Sequence, residues 1–438
     1  MNVAKDAMGL GLRVLNRFAG LKAVDKLGLR KPAEKAIFGA SRAGFATVGA
    51  ASRVFKSTQK LVQPARLTQR SGDGLFDLTP SEEQEMLRDS CRSFADEQLR
   101  PAALAADTAC AATPELLASA SELGIHLLGL PESLGGAGQE RSAMTSVLVA
   151  EALAHGDLSL AVACLAPSAV SNALVLWGDS EQQSAYLPAF AGEKSPAAAL
   201  AIQEPSALFD PFKLSVKARR TPDGYVLDGV KSLVPRAAQA ELFIVAAHLE
   251  GRGPALFIVE SSTAGLSIQA EPAMGLRAAA TGRVVLDNVV LANRALLGNG
   301  SADIYATCIS LARVGWCAVA VGTAQAALDY LVPYVNERVA FGEPISHRQA
   351  VAFTVANAAI EIEGMRLLTY RAASRAEQSK SFFEETALAR RLCADKGMQI
   401  GSDAVQLLGG HGFVKEHPAE RWYRDLRAVG FIEGVLLV

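Results

Sequence analysis

The chain has 438 residues, half of them hydrophobic and one fifth charged, with a formal net charge of −2. That composition excludes a disordered or low-complexity chain and supplies enough apolar residues for a large core in two or three packing units. The near-neutral balance gives no overall attraction for nucleic acid, and none is expected as a partner.

Charge is spread unevenly. Residues 1–70 hold 14 Lys and Arg against 3 Asp and Glu, so this arm stands at +11 and the remainder at −13. Within it Leu10, Val14, Phe18 and Leu21 recur at roughly helical spacing beside Arg13, Arg17 and Lys22, and Ala36 to Phe55 is rich in Ala and Gly. Such an arm can lie on an anionic membrane or a partner, pack on its own protein, stay loosely ordered, or be an Arg-rich transit peptide. Peripheral membrane contact through residues 1–70 is the expectation, with the other readings open. The polar stretch after it completes a basic extension and linker over 1–76. The six cysteines have neither zinc-site nor redox spacing and the histidines make no cluster, so no metal is expected. The corresponding location is cytoplasmic, at the inner membrane through the arm, or mitochondrial in a eukaryote. The longest charge-free run, Leu158 to Gly178, is broken by Pro167, Ser168, Ser171 and Asn172 and does not read as a membrane span.

At "LTPSEEQ" a helix is announced, with Thr79 as N-cap, Pro80 at the first position and Glu82 closing a capping box. Helical periodicity then runs through residues 77–195, broken at "LPESLGGAG", "HGDLS" and "LWGDSEQQ". The texture changes over 196–300. Short β-branched runs such as "ELFIVAA" and "GRVVLDNVVL" follow one another, and the Asp-Gly pairs in "PDGYVLDGVKSLV" mark two turns. This predicts a compact, mostly antiparallel β domain. Long helical segments return over 301–438 and read as a four-helix bundle. The fold class is therefore α+β, in the order helices, sheet, helices.

Several residues carry chemistry in one reading and plain structure in another. The turn "LLGGHG" either caps a helix or lets backbone approach a phosphate-bearing ligand where a Cβ would collide. Arg338 either complements a helix dipole or grips a pyrophosphate with its planar fork. Arg313, on a helix nearly free of charge, is paired structurally or lies by a site. In "GFIEGVLLV", Glu433 is an ordinary solvated carboxylate or a desolvated general base followed by a flexible glycine, Gly434.

Four stretches in order, "AIQEP" (201–205), "RVAFGEPISHRQA" (338–350), "DAVQLLGGHGF" (403–413) and "YRDLRAVGFIEG" (423–434), give the chain from about Leu78 onward a joint likeness. It resembles the acyl-CoA dehydrogenase flavoprotein family. The resemblance implies FAD as cofactor, held by Arg338, Phe341, Gln349, Gln406, Gly409 and Gly410 across a subunit boundary and by Gln203 at the flavin. It implies a homodimer or homotetramer, and an electron-transfer flavoprotein as partner. It implies that Glu433 removes the α-proton of a fatty acyl-CoA while a hydride passes to flavin N5, giving a trans-2-enoyl-CoA, with Arg313 and Gly434 beside the substrate. Ala312 stands where some members place the base instead. The chain departs from the family pattern at Gln203, Ser206, Leu208 and Phe209, and at Leu233 and Pro235 where aromatic and hydroxyl residues usually meet the isoalloxazine. Val435 replaces a common hydroxyl residue, and the sequence reaches Val438 without the family's closing helix. A catalytically weak binding or scaffold protein on the same fold, or a flavin-dependent oxidase, is the alternative.

Overall fold

The computed structural model describes residues 78–136, 141–192 and 194–438. The chain divides into two units, residues 1–75 and 76–438, and everything below concerns the second. The arm and linker expectations lie outside the described residues.

Helix α1 (Glu82–Phe94) begins two residues later than expected. Its cap is Ser81, whose hydroxyl accepts from the Gln84 N–H (3.2 Å) while Gln84 Oε1 accepts from the Ser81 N–H (3.0 Å). The reciprocal pair satisfies two otherwise orphaned donors, which is why this box prevails over one at Thr79 and Glu82. A five-residue π-helical segment, Ala95–Leu99, leads into α2 (Arg100–Ala109), followed by α3 (Pro114–Glu122), α4 (Ala143–Gly156), α5 (Leu158–Trp177) and α6 (Ser180–Ala191). The break between α4 and α5 is made by Asp157, whose Oδ1 accepts from the Leu160 N–H at 3.0 Å.

The sheet comprises β1 (Ala198–Ala201), β2 (Lys217–Arg220), β3 (Gly224–Val234), β4 (Leu242–Leu249), β5 (Gly253–Glu260), β6 (Leu266–Ala270), β7 (Gly282–Ala292) and β8 (Leu296–Leu297). Its order is β6-β7-β3-β2-β4-β5-β8, with β1 joined parallel to β4 and β2 also parallel to β4. The remaining pairings are antiparallel. Of the two expected Asp-Gly turns, only the one ending at Gly224 connects strands. Asp228–Gly229 lies inside β3, where the register against β7 shifts between Leu227 and Gly229. There Gly229 (φ 139°) passes so close to Val216 that a Cβ would stand 2.9 Å from its Cα, so the pair makes a bulge rather than a turn.

The C-terminal helices are α7 (Ala302–Glu337), α8 (Gln349–Glu377), α9 (Phe383–Leu408) and α10 (Ala419–Ala428), with a small β9–β10 hairpin (Val339–Ala340, Glu343–Pro344) between α7 and α8. By length and composition α5 and α7 could each cross a membrane, yet 94% and 78% of their most apolar windows are buried within the protein. They are core helices: α7 packs on α4, α8 and α9. Short α10 is pinned by charge. Arg421 Nε meets Asp157 Oδ2 (2.9 Å), Arg424 Nη1 meets Asp107 Oδ1 (2.9 Å) and the Met274 carbonyl (2.8 Å), and Asp425 Oδ1 accepts from the Leu276 N–H (2.7 Å). These bonds tie the first helical domain and the β domain to the helix that leads directly to Glu433.

Candidate active site

Glu433 is not a solvated carboxylate: the residue is 7% exposed. The chain turns out of α10 with the Ile432 N–H on the Ala428 carbonyl (3.0 Å), and the Glu433 side chain meets α7. Arg313 holds it as a fork, with Nη2 to Oε1 at 2.7 Å and Nε to Oε2 at 2.9 Å. A second guanidinium, Arg390 of α9, stands 3.9 Å from Oε1 and donates to the Ile432 carbonyl at 2.6 Å. Burial pulls Arg390 below its usual range, and Glu433 opposes that pull. Ala312, one residue before Arg313, is fully buried and supplies no carboxylate.

The backbone around Glu433 is held as firmly as its side chain. Gln203 Oε1 accepts from the Glu433 N–H at 3.0 Å, and Trp316 Nε1 donates to the Gly434 carbonyl at 2.9 Å. Gly434 is fixed rather than free: with φ at 75°, a Cβ there would stand 2.3 Å from Ile202 Cγ1. Behind Gln203, Glu204 and Lys231 form a buried ion pair at 2.8 Å, with Lys231 Nζ also donating to the Ile202 carbonyl at 3.0 Å. Burial, against the pull of Glu204, brings Lys231 down to about 8. Burial opposes ionisation of Glu204 too, but Lys231 and the Ser215 hydroxyl and N–H hold it below the usual carboxylate range. Tyr305 of α7 closes this region with its hydroxyl on the Pro211 carbonyl (2.6 Å); burial, joined by Cys308, Glu204 and Glu433, lifts the phenol well above its normal value.

The residues expected to hold the dinucleotide gather elsewhere. Arg338 caps the far end of α7 with its N–H on the Tyr334 carbonyl (2.8 Å) and its side chain exposed. Phe341 is 96% exposed, with the Arg348 guanidinium 5.9 Å from its ring centre. Phe341, Arg348, Thr354 and Gln406 line a groove of 730 Å³, and Gln349 is the first residue of α8 alongside it. Beyond Gln406, Gly409 and Gly410 present bare backbone: nothing stands within 4 Å of where a Cβ would be, and φ 59°, ψ −133° at Gly409 suits glycine alone. This open, cationic and aromatic surface fits the nucleotide end of FAD. Arg313 and Arg338 are 25 residues apart on one helix, about 37 Å at 1.5 Å per residue. The structure thus brings Glu433, Arg313, Gln203 and Gly434 together and leaves Arg338, Phe341, Gln349, Gln406, Gly409 and Gly410 as a separate group.

Sequence reasoning passed over Arg390, Trp316, Tyr305 and the Lys231–Glu204 pair. Only Lys231, a cation in an otherwise apolar β run, carried a signal. It also expected no histidine cluster, yet His411, Glu416 and His417 can each offer one ligand atom within 4.8 Å of the others. The Tyr330 hydroxyl at 2.5 Å from His417 Nδ1 and the crossed rings of His411 and His417 organise that trio.

Helices, a mostly antiparallel sheet and helices, with a buried carboxylate held by Arg313 within the longest helix and an open cationic and aromatic groove beyond its C-terminal end, define a flavin-dependent oxidoreductase. The chain belongs to the acyl-CoA dehydrogenase family. Family models match the acyl-CoA dehydrogenase N-terminal domain over residues 81–194, the middle domain over 199–289 and the C-terminal domain over 298–436. It is 33% identical over 366 residues to the mitochondrial short-chain specific acyl-CoA dehydrogenase of Bos taurus, covering 81% of this chain and 87% of that one. Butyryl-CoA dehydrogenase from Megasphaera elsdenii superposes with a TM-score of 0.76 at 28% identity, covering 82% of this chain and 96% of its own. A chain from the structure of the electron transferring flavoprotein of Acidaminococcus fermentans does so with the same TM-score at 29% identity, again over 82% and 96%.

Proposed function

We propose that this oxidoreductase dehydrogenates a fatty acyl-CoA between its α and β carbons, with Glu433 as the base that takes the α-proton. The observation that carries the reading is the burial of Glu433 in a fork of arginine, on backbone fixed from both sides by Gln203 and Trp316. An α-proton of a thioester is weakly acidic, and its removal requires a carboxylate held in place and shielded from water. FAD, when bound, supplies the acceptor for the electron pair that leaves the β-carbon. Arg313 balances the charge of Glu433 in the resting enzyme, and this pairing must loosen for one carboxylate oxygen to meet the α-proton.

The separation of about 37 Å along α7 supports an oligomer, since no single dinucleotide reaches both groups on one chain. A homodimer or homotetramer lets Arg338, Gln406, Gly409 and Gly410 of one copy serve the Glu433 centre of another. Electrons pass on to an electron-transfer flavoprotein in this reading. The basic arm, at +11, places the enzyme on an anionic membrane surface, cytoplasmic or mitochondrial.

The test is Glu433→Gln, which keeps shape and loses the proton acceptor. The purified variant is expected to stay yellow with bound FAD, while anaerobic bleaching by butyryl-CoA slows by more than the ~10²–10⁴-fold usual for loss of a general base. Bleaching at nearly the wild-type rate would remove Glu433 from the chemistry.

A further inference from the structure

The turn between α9 and α10 holds chemistry that the dehydrogenation reading leaves unused. Two of the chain's six histidines, His411 and His417, fall within seven residues there, with Glu416 beside them. One ligand atom from each lies within 4.8 Å of the other two, and no other trio of His, Cys, Asp or Glu among the described residues meets that condition. His411 Nδ1 already stands 3.7 Å from Glu416 Oε2. The two imidazole rings cross at 84° with centres 5.6 Å apart. The backbone sets this arrangement. At Gly412 a Cβ would stand 2.2 Å from the Val405 carbonyl oxygen, so only glycine lets the chain fold back onto the last turn of α9. From the other side α7 orients His417, with the Tyr330 hydroxyl 2.5 Å from Nδ1 and the Tyr330 and Tyr334 rings both edge-on at 5.9 Å. The single cationic residue of the stretch 409–418, Lys415, pairs with Asp107 at 3.7 Å.

Two imidazoles and one carboxylate are the donor set of a zinc-type ion, since nitrogen donors favour zinc, copper and nickel over calcium and magnesium. A tetrahedral ion with ~2.1 Å bonds spaces its ligand atoms ~3.4 Å apart, so the 3.7 Å pair has about 0.3 Å to close. The His411 and Glu416 side chains, 48% and 73% exposed, have room for the remaining adjustment. A ligand histidine gives its second ring N–H to an outer partner, and the Tyr330 hydroxyl is such a partner for His417. We propose that His411, Glu416 and His417 bind one divalent cation of the zinc class, with water completing its coordination. The ion clips the turn that follows α9 to the residues that precede α10. Tyr330, whose ring also meets that of Trp422 at 5.5 Å, ties the clip to α7. The clip thereby fixes both the backbone that presents Gly409 and Gly410 and the start of the helix that leads to Glu433. Binding of the ion does not depend on Glu433 being the base.

Zinc chloride is the probe that tests this. Tag-free, FAD-loaded, full-length protein would be stripped with EDTA, freed of the chelator and titrated by calorimetry at about pH 7.5, where imidazole is mostly neutral. Wild type is expected to bind one zinc per chain and to melt at a higher temperature with it. His411→Ala/His417→Ala should lose at least about 100-fold in affinity. Tyr330→Phe, which keeps the ring and removes the outer partner, should lose about 10–100-fold. Magnesium chloride in about tenfold excess should leave the zinc isotherm unchanged, because magnesium prefers oxygen donors. Should the double variant not fold, His411→Ala alone, at a half-exposed position in the turn, is expected to lose at least about 10-fold. Absence of zinc binding by wild type, equal binding by wild type and folded His411→Ala, or displacement of zinc by magnesium would overturn the proposal.

Discussion

Replacing Lys231 with methionine strands a carboxylate in the core. Lys231 and Glu204 have side chains 0% and 2% exposed, and their 2.8 Å contact is the only ion pair Glu204 makes among the described residues. Removing one partner of a buried pair costs about 3–5 kcal/mol, because the survivor's desolvation is no longer offset. Glu204 keeps the Ser215 hydroxyl and N–H and the Val216 N–H (3.0 Å), which places the loss near the lower figure, ~3 kcal/mol. The damage also lies next to the chemistry. Lys231 holds the Ile202 carbonyl, Ile202 packs against Gly434, and Gln203 holds the Glu433 N–H. Urea unfolding at pH 7, followed by far-ultraviolet circular dichroism on the full chain, reads the loss as a lower midpoint at unchanged slope. A loss below ~1 kcal/mol would mean that the pair is solvated or dispensable and that the argument from burial is wrong.

Asp425 gives a pH signature. Burial, with Asp157 beside it, lifts its carboxyl to about 7. The folded protein keeps a proton there that the unfolded chain releases near pH 4, so this group's stabilisation is full below about pH 4 and is lost as the pH rises through 7. Asp425→Asn retains the acceptor for the Leu276 N–H and removes the titration, so its melting temperature should exceed wild type at pH 8 by more than it does at pH 5. A pH-independent difference by scanning fluorimetry refutes this. Arg338→Ala is expected to lower FAD occupancy and oligomer mass together; a fully yellow oligomer on light-scattering chromatography would show that this arginine does not hold the cofactor.

Much of the fold was legible because local pattern and tertiary need coincide. The β-branched runs become β4, β5 and β7, and the glycines after Leu408 do end α9. The misreadings share a cause. Asp228–Gly229 has the composition of a hairpin turn, but Val216 pressing on the strand selects a bulge, and that neighbour is invisible in a local window. At α1, two caps fit the same pattern and side-chain reach decides. In the site, Glu433 and Arg313 were readable because each is a lone charge in apolar sequence. Arg390 was not, since it sits beside Arg391 in "ALARRLCADKG" and only packing makes one buried and the other exposed.

The two most apolar helices are also widely spaced in time. Helix α5 is finished about 125 residues before α7 begins, and at 5–20 residues per second a ribosome takes ~6–25 s to cover that interval. For those seconds a 20-residue segment of mean hydropathy 1.8 lacks the long helix that completes the core around it. Its serines, Asn172 and Pro167 interrupt the apolar run of this segment while it waits. Two of these polar residues find their partners only on folding: Ser168 donates to the Ile125 carbonyl and Asn172 to the Leu437 carbonyl, the second of which is made about 265 residues later.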